Sequence, residues 1–408
     1  MNFKIMALIV FAVVFIYRRM INVIRLRSAN NKIPDNVADV YDSETYAKWK
    51  AYHYENEKFS LISNTVTFVL EILLLATNAY ALFAGLFPEN QFTQILGVML
   101  LNSFVEVLML PFSWYDTMVI EQKYGFNKTK PKTFFADAIK SYILTMILMV
   151  GISSMLFGLH ESFGDWIILV FAIVMTLLIL MITFLFPVFS KLFNKFTPLE
   201  DGELKEKINA LLEKHNYKVR AINVMDASRR TTKSNAYFTG FGKMKTIVLY
   251  DTLVQNFTVD EICAVFAHEM GHGLHKDTLR NRFLTFVQML VIGVLVWLTL
   301  RTPAIFTDFG FESLNYGFAI ILIMSVEYAI FSPIFSLCVN YFSRKAEYGA
   351  DRQAVEEGYG EQLKSALKKL AKENYSNLSP SPLLVKLEYS HPTLSQRIAA
   401  VDELLKEK

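Results

Sequence analysis

Seven apolar runs punctuate the chain, near positions 3–17, 61–87, 92–112, 141–159, 166–190, 283–300 and 316–342. A helix needs about 20 apolar residues to cross the hydrocarbon core of a bilayer, so these runs predict transmembrane helices. The first is the shortest: its unbroken stretch, Ile5 to Tyr17, is followed by Arg18 and Arg19 rather than a small-residue cleavage site, as in a retained anchor. Between the runs the pattern changes. Thr197-Pro198-Leu199-Glu200 reads as a helix start with proline at the first helical position, and Leu204, Ile208, Leu211 and Leu212 then form one apolar face. Val219 to Val224 alternates like a strand. Ala236 to Gly240 and Thr246 to Tyr250 read as two strands joined by a turn around Gly242 and Lys243.

These patterns predict a mainly α, polytopic membrane protein with a small β-sheet. Residues 1–190 hold five spans with polar loops at 18–60 and 113–140, and residues 191–282 form a polar insert. Residues 283–342 hold two more spans, and 343–408 are charged and helical. Composition agrees, with 53% hydrophobic and 19% charged residues. A net charge of +3, with no basic patch interleaved with stacking aromatics, argues against nucleic-acid binding. Cys263 and Cys338 lie in apolar segments and read as buried thiols. The loops at 88–91 and 160–165 contain no Lys or Arg, and 301–315 contains only Arg301. The positive-inside rule then puts the other side, with 191–282 and 343–408, in the cytoplasm. Glu71, Asn102, Glu106, Glu327 and Asn340 fall within the spans, where they either bond between helices or face a wet cavity.

The chemistry concentrates in His268-Glu269-Met270-Gly271-His272. Thr258-Val259-Asp260-Glu261 is a capping box, so the motif falls in a helix, where histidines four apart aim at one point. Two imidazoles with a neighbouring carboxylate are what a hydrolytic zinc site requires: two ligands, His268 and His272, and a base, Glu269. His275 follows three residues later but would demand that one rigid helix bend three ligands onto one ion. The alternative class, with glycine seven and histidine ten residues after the first ligand, is excluded by His275 and Thr278. A glutamate from a second helix remains. Glu347 fits, with Asp351 on the same face to accept a hydrogen bond from a ligating histidine, and Gly349 and Ala350 permit close packing. One Zn²⁺ per chain is expected.

With these residues in place the chain resembles the type I CAAX prenyl protease family, from about Ile33 to Ile398. The likeness includes Tyr41 to Tyr46, Leu110 to Tyr115, Glu121 to Lys128, Leu192 to Leu199, Ser234 to Phe238, HEMGH, Glu347 to Asp351, Ser390-His391-Pro392-Thr393 and Arg397. The resemblance implies seven helices around an intramembrane chamber and a gluzincin-type zinc site at its cytoplasmic end. It implies a protein or peptide substrate with a prenylated C-terminus, hydrolysed after the isoprenylated cysteine to release a tripeptide. It also implies roles around the scissile peptide for Asn235, His391 and Arg397; alone, His391 before proline reads as a helix cap. The membrane would be that of the endoplasmic reticulum in a eukaryote, or the inner membrane in a bacterium. Gly273 departs from the family, which has tryptophan there, and the chain is shorter than eukaryotic relatives. The rival readings are a bacterial-type quality-control metalloprotease cleaving misfolded membrane proteins, and a transporter with a vestigial HEMGH.

Overall fold

The computed structural model describes residues 2–239, 245–275 and 277–408; the expected turn around Gly242 and Lys243 lies outside them. The apolar runs fold as helices that extend beyond the runs themselves. α1 is Phe3–Ser28 and α2 is Ser43–Ala76, the latter begun by Asp42, whose carboxylate accepts from the Thr45 amide. α3 is Gln91–Tyr115, α4 Pro131–Phe163 and α5 Ile167–Ser190. Six apolar helical stretches among the described residues are long enough to cross a membrane. One of them, Pro131–Leu185, is 55 residues long and is divided into α4 and α5 at Gly164–Trp166, where Gly164 has φ 51°.

The remaining helices build the region around the HEMGH motif and its supports. α6, Glu203–Lys214, buries Ile208, Leu211 and Leu212 against α7, Val259–Leu274, which carries HEMGH. The expected capping box closes the start of α7, with Thr258 and Glu261 each bonding the other's backbone. α8 is Asp277–Leu300. Tyr316–Leu322 passes through a π-helical turn, Ile323–Glu327, into α9, Tyr328–Glu356. α9 therefore runs unbroken from the seventh apolar run to Glu347 and Asp351. α10 (Gly360–Glu373), α11 (Pro382–Glu388) and α12 (Leu394–Lys406) follow.

Four strands form one sheet in the order β1-β2-β4-β3: Phe196–Pro198, Ala221–Met225, Thr246–Tyr250 and Ala236–Thr239 respectively. β3 and β4 are antiparallel, as expected of consecutive strands, whereas β2 and β4 run parallel. The helix expected at Thr197-Pro198 is a strand instead. Pro198 lies opposite Asn223 on the edge strand β1, where a missing N–H costs little, and the helix begins only at Glu203.

Burial distinguishes the two halves of the molecule. The apolar stretch of α2 is only 6% buried and the most apolar stretch of α5 only 17%, so these helices leave most of their side chains uncovered by protein. α7 is the opposite: Ile262, Ala264, Phe266, Ala267 and Met270 sit within a core that includes Leu211, Ile247 and Leu363. The same contrast also corrects one expectation, because Cys338 on α9 is exposed while Cys263 on α7 is buried. Of the polar residues in the spans, Asn102 pairs with the Tyr80 hydroxyl, Glu327 accepts from Thr299, and Asn340 donates to the Leu387 carbonyl. Glu71 and Glu106 each open onto a cavity, of about 300 and 600 Å³.

Candidate active site

The site is made by the crossing of α7 and α9. Gly271 faces Ala350 so closely that a Cβ on Gly271 would lie 2.9 Å from the Ala350 Cα, so glycine is what lets the helices meet. That approach brings Glu347 between the histidines. His268 Nε2 lies 3.5 Å from Glu347 Oε2, and His272 Nε2 lies 3.3 Å from Glu347 Oε1. One ligand atom from each residue falls within 4.8 Å of the other two.

The hydrogen bonds fix which nitrogens are free. His268 Nδ1 meets Asp351 Oδ1 at 2.8 Å, and His272 Nδ1 meets Asp277 Oδ2 at 3.1 Å. With each Nδ1–H donated to a carboxylate, both Nε2 lone pairs point at the space beside Glu347. Glu347 Oε2 is buried and makes no hydrogen bond. Two neutral imidazole nitrogens and a carboxylate oxygen with an unmet acceptor are a zinc donor set, so the residues present fit the metal. His275 is not in this set. It caps the C-terminus of α7 and packs against Gly349.

Burial alone would push the Glu347 carboxyl up, but His268, His272 and His391 around it hold it well below the usual carboxylate range. Burial likewise opposes charge on Asp351, and Arg397 overcomes it. For His268, burial and the nearby Arg397 push down, while hydrogen bonds to Asp351 and Glu347 leave it raised to about 9.

The other expected residues surround this centre at different depths. Glu269 is half-buried on α7 beside His268. His391 is 62% exposed, with Nδ1 3.0 Å from Glu347 Oε1. Arg397, expected near the scissile peptide, lies behind His268, where its Nε and Nη2 donate to Asp351 at 2.9 and 2.6 Å. Asn235 is exposed at the start of β3, and its carbonyl accepts from the Tyr250 amide at 3.0 Å. Asp277 was not foreseen. It follows a break after α7, so helical spacing carries no signal, although a carboxylate opening the next helix two residues after His275 is a usable cue. Asp277→Ala is expected to weaken zinc binding roughly 10–100-fold in a chelator competition; an unchanged affinity would show that His272 is oriented by other groups.

Comparison with known proteins identifies the architecture. Residues 23–195 match the family described as CAAX prenyl protease N-terminal, five membrane helices, and residues 198–405 match Peptidase family M48. The CAAX prenyl protease 1 homolog of Arabidopsis thaliana is 33% identical over 390 residues, covering 91% of this chain and 90% of its own. The chain belongs to the M48 peptidase family. CAAX prenyl protease 1 of Saccharomyces cerevisiae is 31% identical, with 93% of this chain and 90% of its own covered. The crystal structure of S. mikatae Ste24p superposes with a TM-score of 0.92 at 28% identity, over 98% of this chain and 99% of that one. This M48 protein is a membrane zinc metalloendopeptidase of the CAAX prenyl protease type.

Two local features of this M48 chain now have physical explanations. The Tyr217 hydroxyl lies against Gly273 and contacts Lys245, and any Cβ at 273 would overlap it. A tyrosine three residues past the end of α6 therefore occupies the space beside Gly273. The stretch Glu121 to Lys128 clamps the approach to β3: Lys128 and Phe126 bond the backbone of Arg230 and Thr232, and Glu121 pairs with Lys233. That clamp lies two residues from Asn235.

Proposed function

We propose that this protease removes the C-terminal tripeptide from proteins that carry an isoprenylated cysteine. The observation that carries this reading is the continuity of α9, which leads from a membrane-length apolar stretch directly to Glu347. An isoprenyl chain needs an apolar space contiguous with the site of cleavage, and the intramembrane chamber that the family resemblance implies would supply one. The relatives named CAAX prenyl protease 1 point the same way.

His268, His272 and Glu347 would hold the zinc, which when bound supplies Lewis acidity and makes water easier to deprotonate. Glu269 takes the proton of the attacking water and returns it to the leaving amine. His391, exposed beside Glu347, donates to the carbonyl oxygen as negative charge grows there. The outer edge of β3 accepts the substrate as an added strand, with Asn235 at its entrance. Asp351, Asp277 and Arg397 keep the imidazoles in place. We place the site on the cytoplasmic side, because the opposite loops are nearly free of Lys and Arg. The membrane is that of the endoplasmic reticulum in a eukaryotic cell, or the inner membrane in a bacterial one.

The test compares a farnesylated CAAX peptide, the same peptide without the lipid, and casein, each incubated with zinc-loaded protein in detergent. Tripeptide release from the farnesylated peptide alone is the expected result. Efficient cleavage of casein with none of the lipidated peptide would replace this reading with a quality-control protease.

A further inference from the structure

A second recess lies on the face of α9 next to the one that holds Glu347. It has a volume of about 650 Å³, and its walls come from α9, from the segment that leads through Leu378 into α11, from the start of α12 and from Pro34 in the loop between α1 and α2. Tyr341, Lys345 and Tyr348 project into it from successive turns of α9, and Leu378, Val385 and Lys386 face them. The interior is thus mostly apolar, with cations at the rim. Arg344 braces the recess by donating to the carbonyls of Val385 and Tyr389 at 2.9 and 2.7 Å.

Charge decides what the recess accepts. No Asp or Glu lines it. Among the described residues, no carboxylate pairs with Arg344, Lys345 or Lys386, whereas Arg280 and Arg397 beside the zinc site are both paired. Lys345 and Lys386 are exposed, so the positive charge faces whatever enters.

Position along α9 supplies the second argument. Arg344 and Lys345 are the first cationic residues after Arg301, and they directly follow the apolar run that ends near 342. Tyr341, 59% exposed, marks the same level, where tyrosine favours the boundary between hydrocarbon and headgroups. A recess that is apolar inside, cationic at its rim and level with the bilayer surface matches an amphiphile with an anionic head.

We propose that this recess binds an anionic phospholipid from the leaflet on the zinc-site side, its phosphate between Lys345 and Lys386 and its glycerol and upper acyl carbons against Leu378 and Val385. A membrane-surface lysine adds roughly fivefold to such an affinity, and the pair roughly thirtyfold. The recess shares the segment leading from α11 to Thr393 with the active site, so its lipid would sit one wall away from His391.

The test uses full-length protein in nanodiscs of phosphatidylcholine with added phosphatidylglycerol. Native mass spectrometry then reads the lipid retained on the protein after gentle release. Wild type is expected to retain phosphatidylglycerol over phosphatidylcholine. K345Q/K386Q is expected to lose that preference by roughly thirtyfold, and K345R/K386R to keep it. Equal retention of phosphatidylglycerol by wild type and K345Q/K386Q would overturn the proposal, as would retention of inorganic phosphate alone at the wild-type level. Zinc content and thermal unfolding of each variant establish that it is folded. The readout is binding, so it stands or falls independently of which peptide the enzyme cleaves.

Discussion

Glu269→Gln is expected to bind zinc as tightly as the wild type and to lose turnover by roughly 10²–10⁴-fold. Glu269 lies outside the group of His268, His272 and Glu347, so exchanging its carboxylate for an amide removes no ligand. The amide has the same shape on α7 and leaves the packing of the helix intact. What it cannot do is accept a proton from water. The measurement is zinc stoichiometry alongside kcat on the peptide substrate. A variant with full zinc and near-normal kcat would remove Glu269 from the mechanism. One with little zinc would mean that the carboxylate supports the site rather than the reaction.

Much of this centre is legible in the sequence because helical periodicity encodes it. His268 and His272 are four apart, as are Glu347 and Asp351, and the capping box announces the start of α7. Gly349 and Ala350 mark the close crossing that joins the two pairs, and the structure adds Gly271 as its partner on α7. Asp277 escaped because a helix break separates it from His272, and no period spans a break. Arg397 was placed by resemblance, whereas its contact with Asp351 depends on how α12 folds back on α9, which local pattern does not specify. The element boundaries were misplaced for a related reason. Composition changes at 60/61 and at 342/343, but α2 and α9 pass through both points unbroken, because a helix needs only local hydrogen bonds and is indifferent to the change of solvent. Pro198 reads as a helix start but sits in a strand, because proline at a helix start and proline at a sheet edge satisfy the same rule: neither position needs the N–H.

The second large effect is expected at Asp351, and its origin is a buried charge rather than a lost ligand. Asp351 has no exposed surface and accepts from His268, from Arg397 Nε and from Arg397 Nη2. Asp351→Asn keeps the size of the side chain but leaves the Arg397 guanidinium, itself mostly buried, with Glu347 Oε2 at 3.4 Å as its remaining paired carboxylate. Removing one partner of a buried pair costs about 3–5 kcal/mol, so thermal unfolding should shift downward accordingly. Zinc affinity should fall roughly 10–100-fold as His268 loses its tether. Excess zinc should then restore turnover in Asp351→Asn but not in Glu269→Gln, which separates holding the metal from moving the proton. Adding Arg397→Met supplies the decisive comparison. If the unpaired guanidinium is the costly element, the double variant is more stable than Asp351→Asn alone, because a neutral, well-packed pair replaces an orphaned charge. Strictly additive losses would show instead that Arg397 and Asp351 stabilise the fold through separate contacts, and His268 would then owe its orientation to Asp351 alone.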